Sequence, residues 1–319
     1  MTDKYDAVIV GAGTAGLSAA LALGRAMRRT LVLDGGAPRN ASADHSHNLF
    51  TRDGVPPDEL LRLGKRDLEK YETVAVREGV ATGASGADGG FTVTLSDGDS
   101  VLARKLLIAS GQTDVMPDVP GFAEAWGRGI YHCPFCHGWE VRERPLAVYA
   151  SGEMVMFRVT LIRNWSRDLI AITDGTEVPD KDRKKLDALG VPLYEGPIFV
   201  IESDAEERKL TCIVLEDGTD IEREGLFTNP PQRQSSGLAE MLGCETEYVE
   251  MMQSHVISAD PGTRETTVKG VFVAGDAGKM MQSLANAVAS GCAVGAFITH
   301  ALCGDDVAAE LASLTEKRA

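Results

Sequence analysis

Two cysteines and two histidines stand together in "YHCPFCHGWE", residues 131–140. Cys133 and Cys136 bracket a proline and a phenylalanine, and His132 and His137 flank them. Such a pair can be half of a zinc site, an exchangeable disulfide, or two buried thiols that only pack. Zinc needs four ligands, or three and a water. The chain has no second Cys-x-x-Cys to complete the set, so no metal is expected. The redox reading explains more of the stretch. Pro134 suits the first turn of a helix, which puts Cys133 at a helix N-terminus, where a thiolate is stabilised. His137 follows Cys136 directly and titrates near neutrality, so it can take and return a proton. His132 is a second, less favoured candidate. Cys133, Cys136 and His137 are the expected catalytic residues.

A redox pair needs a partner for its electrons, and the N-terminal elements supply a candidate. "YDAVIV" is a short apolar strand, "GAGTAG" a turn, "LSAALALGRAM" a helix former and "RTLVLDG" a second strand. This is a βαβ unit, and it implies a parallel sheet. Gly11 makes the turn, Gly13 lets the backbone approach a pyrophosphate, and Gly16 lets helix and strand pack closely. Asp34 ends the second strand, where its carboxylate can accept ribose hydroxyls. The motif alone does not choose between FAD and NAD. Near the other end, "GVFVAGD" (270–276) is a strand ending in Ala-Gly-Asp ahead of a long helical stretch.

Composition bounds the rest. The chain has 319 residues, 44% hydrophobic and 25% charged, which suits about two globular domains. A net charge of −15 argues against nucleic acid as a partner, because phosphate neutralisation needs basic patches. The N-terminus reads as a strand rather than a secretory leader. The apolar run from Leu284 to Leu302 is interrupted by Asn286, Ser290, Gly291 and Gly295 and reads as a buried helix, so no membrane span and a cytoplasmic location are expected. Cys212, Cys244, Cys292 and Cys303 read as core or surface thiols, with Cys292 assigned to packing. His45 and His47 read as solvated loop residues, and Met280–Met281 as packing. Phe135, Trp139 and Pro230–Pro231 could shape an apolar substrate pocket.

On "GAGTAG", "IASG" (108–111), the Cys-x-x-Cys and "VFVAGD", the chain resembles the low-molecular-weight thioredoxin reductases over nearly its whole length. The resemblance implies an α/β protein of two Rossmann-like, three-layer ββα domains. One is a split FAD domain, 1–114 plus 246–319. The other is an inserted domain, 115–245, carrying the cysteine pair. It also implies a homodimer, with FAD contacts at Gly11, Gly13, Gly16, Asp34, Ala109, Gly275 and Asp276, and weaker ones at Asn40 and Gln282. His137 stands where that family has an acid/base aspartate.

The sequence departs from the pattern at the family's second nucleotide site. In "LAVYASGEMVMF", Ala150 replaces the first glycine, Gly152 remains, and Val155 fills the last small position. Asp174, Glu177 and Asp180 replace the arginines that receive a 2′-phosphate, so NADPH is not expected. "CPFCHGWE", "SHNLFTRDG" (46–54) and "NPPQRQSS" (229–236) are similar to thioredoxin-reductase-like dithiol oxidases of the holomycin, gliotoxin and romidepsin type, which serve antibiotic biosynthesis and self-resistance. That closer resemblance implies a small-molecule dithiol as substrate and O2 as electron acceptor. Substrate would attack Cys133, and Cys136 would face the flavin. Two alternatives are a thioredoxin-type reductase fed by ferredoxin or NADH, and a flavin-bound redox sensor.

Overall fold

The computed structural model describes residues 3–204, 209–279 and 281–317. Strand β1 (Lys4–Val10), helix α1 (Thr14–Arg25) and β2 (Thr30–Asp34) form the first βαβ unit. Helix α2 (Pro57–Leu68) leads to β3 (Val74–Glu78), β4 (Ala81–Ala87), β5 (Gly90–Leu95), β6 (Ser100–Ile108) and short β7 (Gln112–Asp114). Next come α3 (Phe122–Ala125), β8 (Ile130–Tyr131) and the one-turn α4 (Pro134–His137). A second βαβ unit, β9 (Leu146–Tyr149), α5 (Met154–Ile162) and β10 (Leu169–Ile172), continues into α6 (Asp180–Ala188) and β11 (Leu193–Tyr194). Strands β12 (Ile198–Ser203), β13 (Leu210–Leu215) and β14 (Asp220–Glu222) precede β15 (Gly225–Thr228). The chain closes with β16 (Gln232–Gln234), α7 (Leu238–Met241), β17 (Thr246–Val249), β18 (Ser254–Ile257), β19 (Val271–Val273) and α8 (Leu284–Glu316).

Two compact units result. The first contains 1–39, 58–113 and 232–319. Its main sheet has the order β3-β2-β1-β6-β5-β4, with β19 paired in parallel to Leu106–Ile108 of β6. Alternation along β1 builds two cores. Ala7 and Ile9 face a layer made with α1 and α8. Val8 and Val10 face Phe91, Val93, Leu95 and Val101 of the antiparallel meander. Part of α8 is long and apolar enough to cross a bilayer by length and composition. Its small residues are used otherwise. A Cβ on Gly291 would lie 2.0 Å from the Ala15 carbonyl oxygen, and one on Gly295 2.7 Å from that of Ala19. Val294, Ile298 and Leu302 are fully buried beside them.

The second unit contains 40–57 and 114–231. Its sheet, β11-β10-β9-β15-β8, is parallel throughout. Val155, Val159 and Ile162 of α5 and Leu186 of α6 cover one face. Ile198, Ile201, Leu210, Ile213 and Leu215 of the small antiparallel sheet cover the other. Both units therefore have helices, a parallel sheet and a second β layer, the expected ββα arrangement.

The boundaries differ from the expected 1–114 plus 246–319 and 115–245 in two places. Residues 40–57 fall with the inserted unit, because the loop bonds to the cysteine segment: Asn48 Nδ2 donates to the Phe135 carbonyl, and Arg128 pairs with Asp44 at 3.5 Å. Residues 232–245 fall with the first unit. There Gln234 Nε2 donates to the Ala277 and His255 carbonyls at 2.9 and 2.8 Å.

Candidate active site

In the first unit the glycine turn has the geometry a dinucleotide needs. Gly11 has φ +110°, and a Cβ there would meet the Ala109 carbonyl oxygen at 2.5 Å. A Cβ on Gly16 would lie 1.9 Å from the Gly11 oxygen, so helix and strand approach only because both residues lack one. Gly13 caps α1 and faces open space, with nothing within 4 Å of where its Cβ would be. Its backbone, and the unsatisfied N–H groups of the first turn of α1, are thus available to a phosphate. Four buried polar atoms of this unit, Thr73 Oγ1, Ser110 Oγ, Gln234 Oε1 and Arg264 Nε, have no hydrogen-bond partner, and Ser110 follows Ala109, whose carbonyl meets the glycine turn. These features fit a bound FAD.

The other expected cofactor residues mostly gather in the same unit. Asp34 ends β2, and its carboxylate accepts from Gly36 N–H at 2.9 Å and pairs with Lys65 at 2.5 Å. Burial alone would raise its pKa, but the Lys65 ammonium and the Gly36 N–H outweigh that and hold it below the usual carboxylate value. With Gly35, Gly36, Glu78, Gly79, Val80 and Ser96 these two residues line an open concavity beside the end of β2. Gly275, at φ +69°, begins a 3-10 turn after β19, and its N–H donates to Ser290 Oγ at 3.0 Å. Asp276 lies 3.5 Å from Arg39, and Arg39 also donates to Gln282. Gln282 Nε2 donates to Gln232 Oε1 at 2.8 Å. Asn40 alone falls in the other unit. Arg39, Gln232 and Lys65 were not anticipated. Gln232 lies in the quoted "NPPQRQSS" and Arg39 next to Asn40, but nothing in the sequence pairs either of them with Gln282.

In the second unit Cys133 is the N-cap of α4, with extended backbone (φ −118°, ψ 117°) and Pro134 at the first helical position. The N–H groups of Cys136 and His137 both donate to the Cys133 carbonyl, at 3.1 and 3.2 Å. Both cysteines are partly exposed. The expected helix N-terminus is a single turn, and one turn carries little of a macrodipole. Helix geometry therefore gives Cys133 less thiolate stabilisation than its sequence context suggests.

His137 stacks on Tyr131, ring centroids 4.7 Å apart, and its Nδ1 is buried without a hydrogen-bond partner. Burial pushes its pKa down. Glu140 opposes that shift, His47 adds to it, and Asp44 again opposes it. The ring is thus held neutral, the form a base requires. The same burial, with Glu140 and Asp44, pushes the Tyr131 hydroxyl up to about 12, so it remains protonated.

Residues of "SHNLFTRDG" meet this segment directly. His47, expected in solvent, is 21% exposed, with Nδ1 3.5 Å from Asp53 and Nε2 3.5 Å from Glu140. His45 is exposed, as expected. Phe135 and Trp139 lie largely exposed: Phe135 meets Trp165 edge-on at 5.6 Å, and the Arg142 guanidinium lies 3.9 Å over Trp139. Cys292, assigned to packing, is instead exposed on α8, because the buried stripe runs through Gly291 and Gly295. Met281 is also exposed, and Met280 lies outside the described residues. Among the described residues no group of three His, Cys, Asp or Glu is placed to hold a metal.

The turn after β9 contrasts with the one after β1. Val155 is fully buried under the sheet, where the first turn has Gly16. Glu153 is the N-cap of α5, but its carboxylate makes no bond to the helix N–H groups and pairs instead with Lys181 at 2.9 Å. Asp174, just beyond the end of β10, is exposed, and its charge raises the Tyr149 phenol's pKa, after burial as the larger cause.

Comparison with known proteins agrees with the fold and with the order of the motifs. The sequence profile of the pyridine nucleotide-disulphide oxidoreductases matches residues 5–291. Thioredoxin reductase sirT of Leptosphaeria maculans is 33% identical over 320 residues, covering 96% of each chain. The crystal structure of HlmI superposes with a TM-score of 0.90 and 32% identity, covering 100% of this chain and 99% of that one. An oxidoreductase from Agrobacterium tumefaciens superposes with a TM-score of 0.87 and 35% identity, over 94% and 99%.

Proposed function

The chain belongs to the pyridine nucleotide-disulphide oxidoreductase family, and from that premise we propose that it is an FAD-dependent dithiol oxidase. It closes an intramolecular disulfide in a small molecule, with O2 as final acceptor and H2O2 as product. One observation carries the reading: the turn after β1 has room for a dinucleotide, whereas the turn after β9 has Ala150 at the first glycine position and a fully buried Val155 at the last. The residues at the second turn do not fit NADPH. Electrons then enter from the substrate. The quoted dithiol-oxidase motifs support the same direction.

The chemistry divides among named side chains. Gly11, Gly13, Gly16, Asp34, Ala109, Gly275, Asp276 and Gln282 hold the cofactor. FAD, when bound, supplies a two-electron acceptor that O2 reoxidises. A substrate thiolate attacks Cys133 of the oxidised pair, and Cys136 leaves. The second substrate thiolate attacks the sulfur already bound to Cys133. The substrate disulfide forms, the mixed disulfide breaks, and the electron pair stays on the Cys133–Cys136 dithiol. The two protons lost by the substrate thiols are taken up by the leaving thiolates of Cys136 and Cys133, and neutral His137 carries one of them across.

Anaerobic titration of the flavin absorbance tests this. A dithiol alone should bleach the colour and air should restore it, with H2O2 formed once per disulfide. Rapid bleaching by NADPH would overturn the assignment. A second reading, a thioredoxin-type disulfide reductase fed by NADH or ferredoxin, is favoured by the name of the sirT relative. It predicts bleaching by the donor and no steady O2 uptake with a small dithiol.

A further inference from the structure

The peptide between Phe135 and Cys136 is held at both ends. Its N–H, on Cys136, donates to the Cys133 carbonyl at 3.1 Å. Its carbonyl, on Phe135, accepts from Asn48 Nδ2. The neighbouring carbonyls are met from within the segment: Cys133 also accepts the His137 N–H at 3.2 Å, and Pro134 accepts the Gly138 N–H at 2.7 Å. Among the described residues no backbone N–H reaches the Phe135 carbonyl. A one-turn helix leaves its last carbonyls without N–H partners, and a side chain 87 positions away supplies one here.

Asn48 suits that task. Its backbone has φ +61°, a left-handed conformation that asparagine adopts more readily than most residues. Its own N–H donates to Asp53 Oδ1 at 2.8 Å. The Ser46 N–H donates to the Val55 carbonyl at 2.9 Å and the Gly54 N–H to the Ser46 carbonyl at 2.8 Å, which closes the loop on itself. The same loop meets the chain before and after the cysteines: Asp44 lies 3.5 Å from Arg128, and His47 Nε2 lies 3.5 Å from Glu140. Between these two ion pairs, the Asn48 bond lands between the cysteines themselves. Trp165 packs on the same turn, meeting Phe135 edge-on and lying 2.8 Å from where a Cβ on Gly138 would stand.

We propose that Asn48 is a positioning residue for the cysteine pair: its amide holds the Phe135–Cys136 peptide, so that the turn keeps one shape when the disulfide opens. This rests on the reading of Cys133 and Cys136 as a reversible disulfide, not on where the electrons go. In the oxidised form the S–S bond itself constrains the turn. In the dithiol that constraint is gone, and the Asn48 bond limits the freedom the two thiols gain. Thiols held close reclose more readily, which favours the disulfide over the dithiol.

Anaerobic equilibration of the flavin-loaded protein with dithiothreitol buffers tests this. Reduced dithiothreitol converts the protein disulfide to the dithiol and itself becomes the cyclic disulfide. Acid quenching, alkylation and mass spectrometry of the Cys133–Cys136 peptide then give the balance. Asn48→Gly keeps the left-handed backbone and removes the amide. Its pair should be half-reduced at about a threefold lower ratio of reduced to oxidised dithiothreitol, the factor expected of one exposed neutral hydrogen bond. Thr51→Gly places glycine at another left-handed position of the loop, φ +69°, and should leave that ratio unchanged. An unmoved ratio in Asn48→Gly, a rise, or an equal fall in Thr51→Gly would overturn the proposal. Should Asn48→Gly fail to fold, hydrogen exchange in the unaltered protein decides. The Cys136, His137 and Gly138 amides should exchange equally slowly in the disulfide and dithiol forms, and faster exchange in the dithiol refutes the role of Asn48. A shifted ratio in an enzyme whose flavin NADPH bleaches would leave this inference standing and remove the oxidase reading.

Discussion

The turn after β1 and the turn after β9 occupy the same place in two sheets of matching order, β3-β2-β1-β6 and β11-β10-β9-β15. The first needs two residues without side chains, because a Cβ at Gly11 or Gly16 would overlap backbone oxygen. The second carries Ala150 and a fully buried Val155 at the corresponding positions. Its helix is held to the sheet by side chains rather than by close backbone approach. One scaffold therefore serves two purposes. Where the backbone is exposed and close, it can cradle phosphates. Where side chains fill that space, Val155 packs α5 against the sheet.

Three substitutions or conditions would break or sharpen this contrast. Gly16→Ala should have the largest effect: with its Cβ 1.9 Å from the Gly11 oxygen, flavin content per folded chain should fall about tenfold or more. Absorbance of the purified protein checks this, and full flavin content would remove the proposed cradle. Val155→Ala should act oppositely. It deletes core atoms, so it should cost about 2 kcal/mol in denaturant unfolding. It should yield no NADPH response, because Ala150 still replaces the first glycine and Asp174, Glu177 and Asp180 still stand where a 2′-phosphate needs basic residues. Gain of NADPH bleaching would show that Val155 alone closes the second turn.

The smallest effect is in pH. Since burial lowers the His137 pKa, the acid limb of dithiol oxidation should inflect below 6.5, and His137→Gln should abolish that limb. Folded His137 also binds a proton less readily than unfolded His137. Its contribution to stability is present above the ordinary imidazole value and is lost as pH falls through the lowered one. An inflection at or above 6.5 would mean that solvent reaches the ring.

Much of this was legible in local sequence. The G-x-G-x-x-G after an apolar strand, the Cys-x-x-Cys with proline and the Ala-Gly-Asp strand end each depend on residues a few positions apart, and the structure keeps all three as local motifs. The loop of residues 40–57 was not legible. It sits in the middle of the first unit's sequence yet packs on the cysteine segment, through Asn48 and His47. The link from Arg39 to Gln282 was hidden for the same reason: 243 positions separate the pair. Polar loops carry no periodicity that would announce such distant partners.

The sequence by itself determined two βαβ-like units, one intact dinucleotide turn, one altered turn and a Cys-x-x-Cys pair beside a histidine. Strand periodicity and glycine spacing are short-range steric requirements, and they read directly. Only the tertiary structure decided the charge environment of that pair. It holds His137 neutral and reduces the expected helix terminus to one turn, because desolvation and Coulomb interaction depend on which distant side chains the packing brings together.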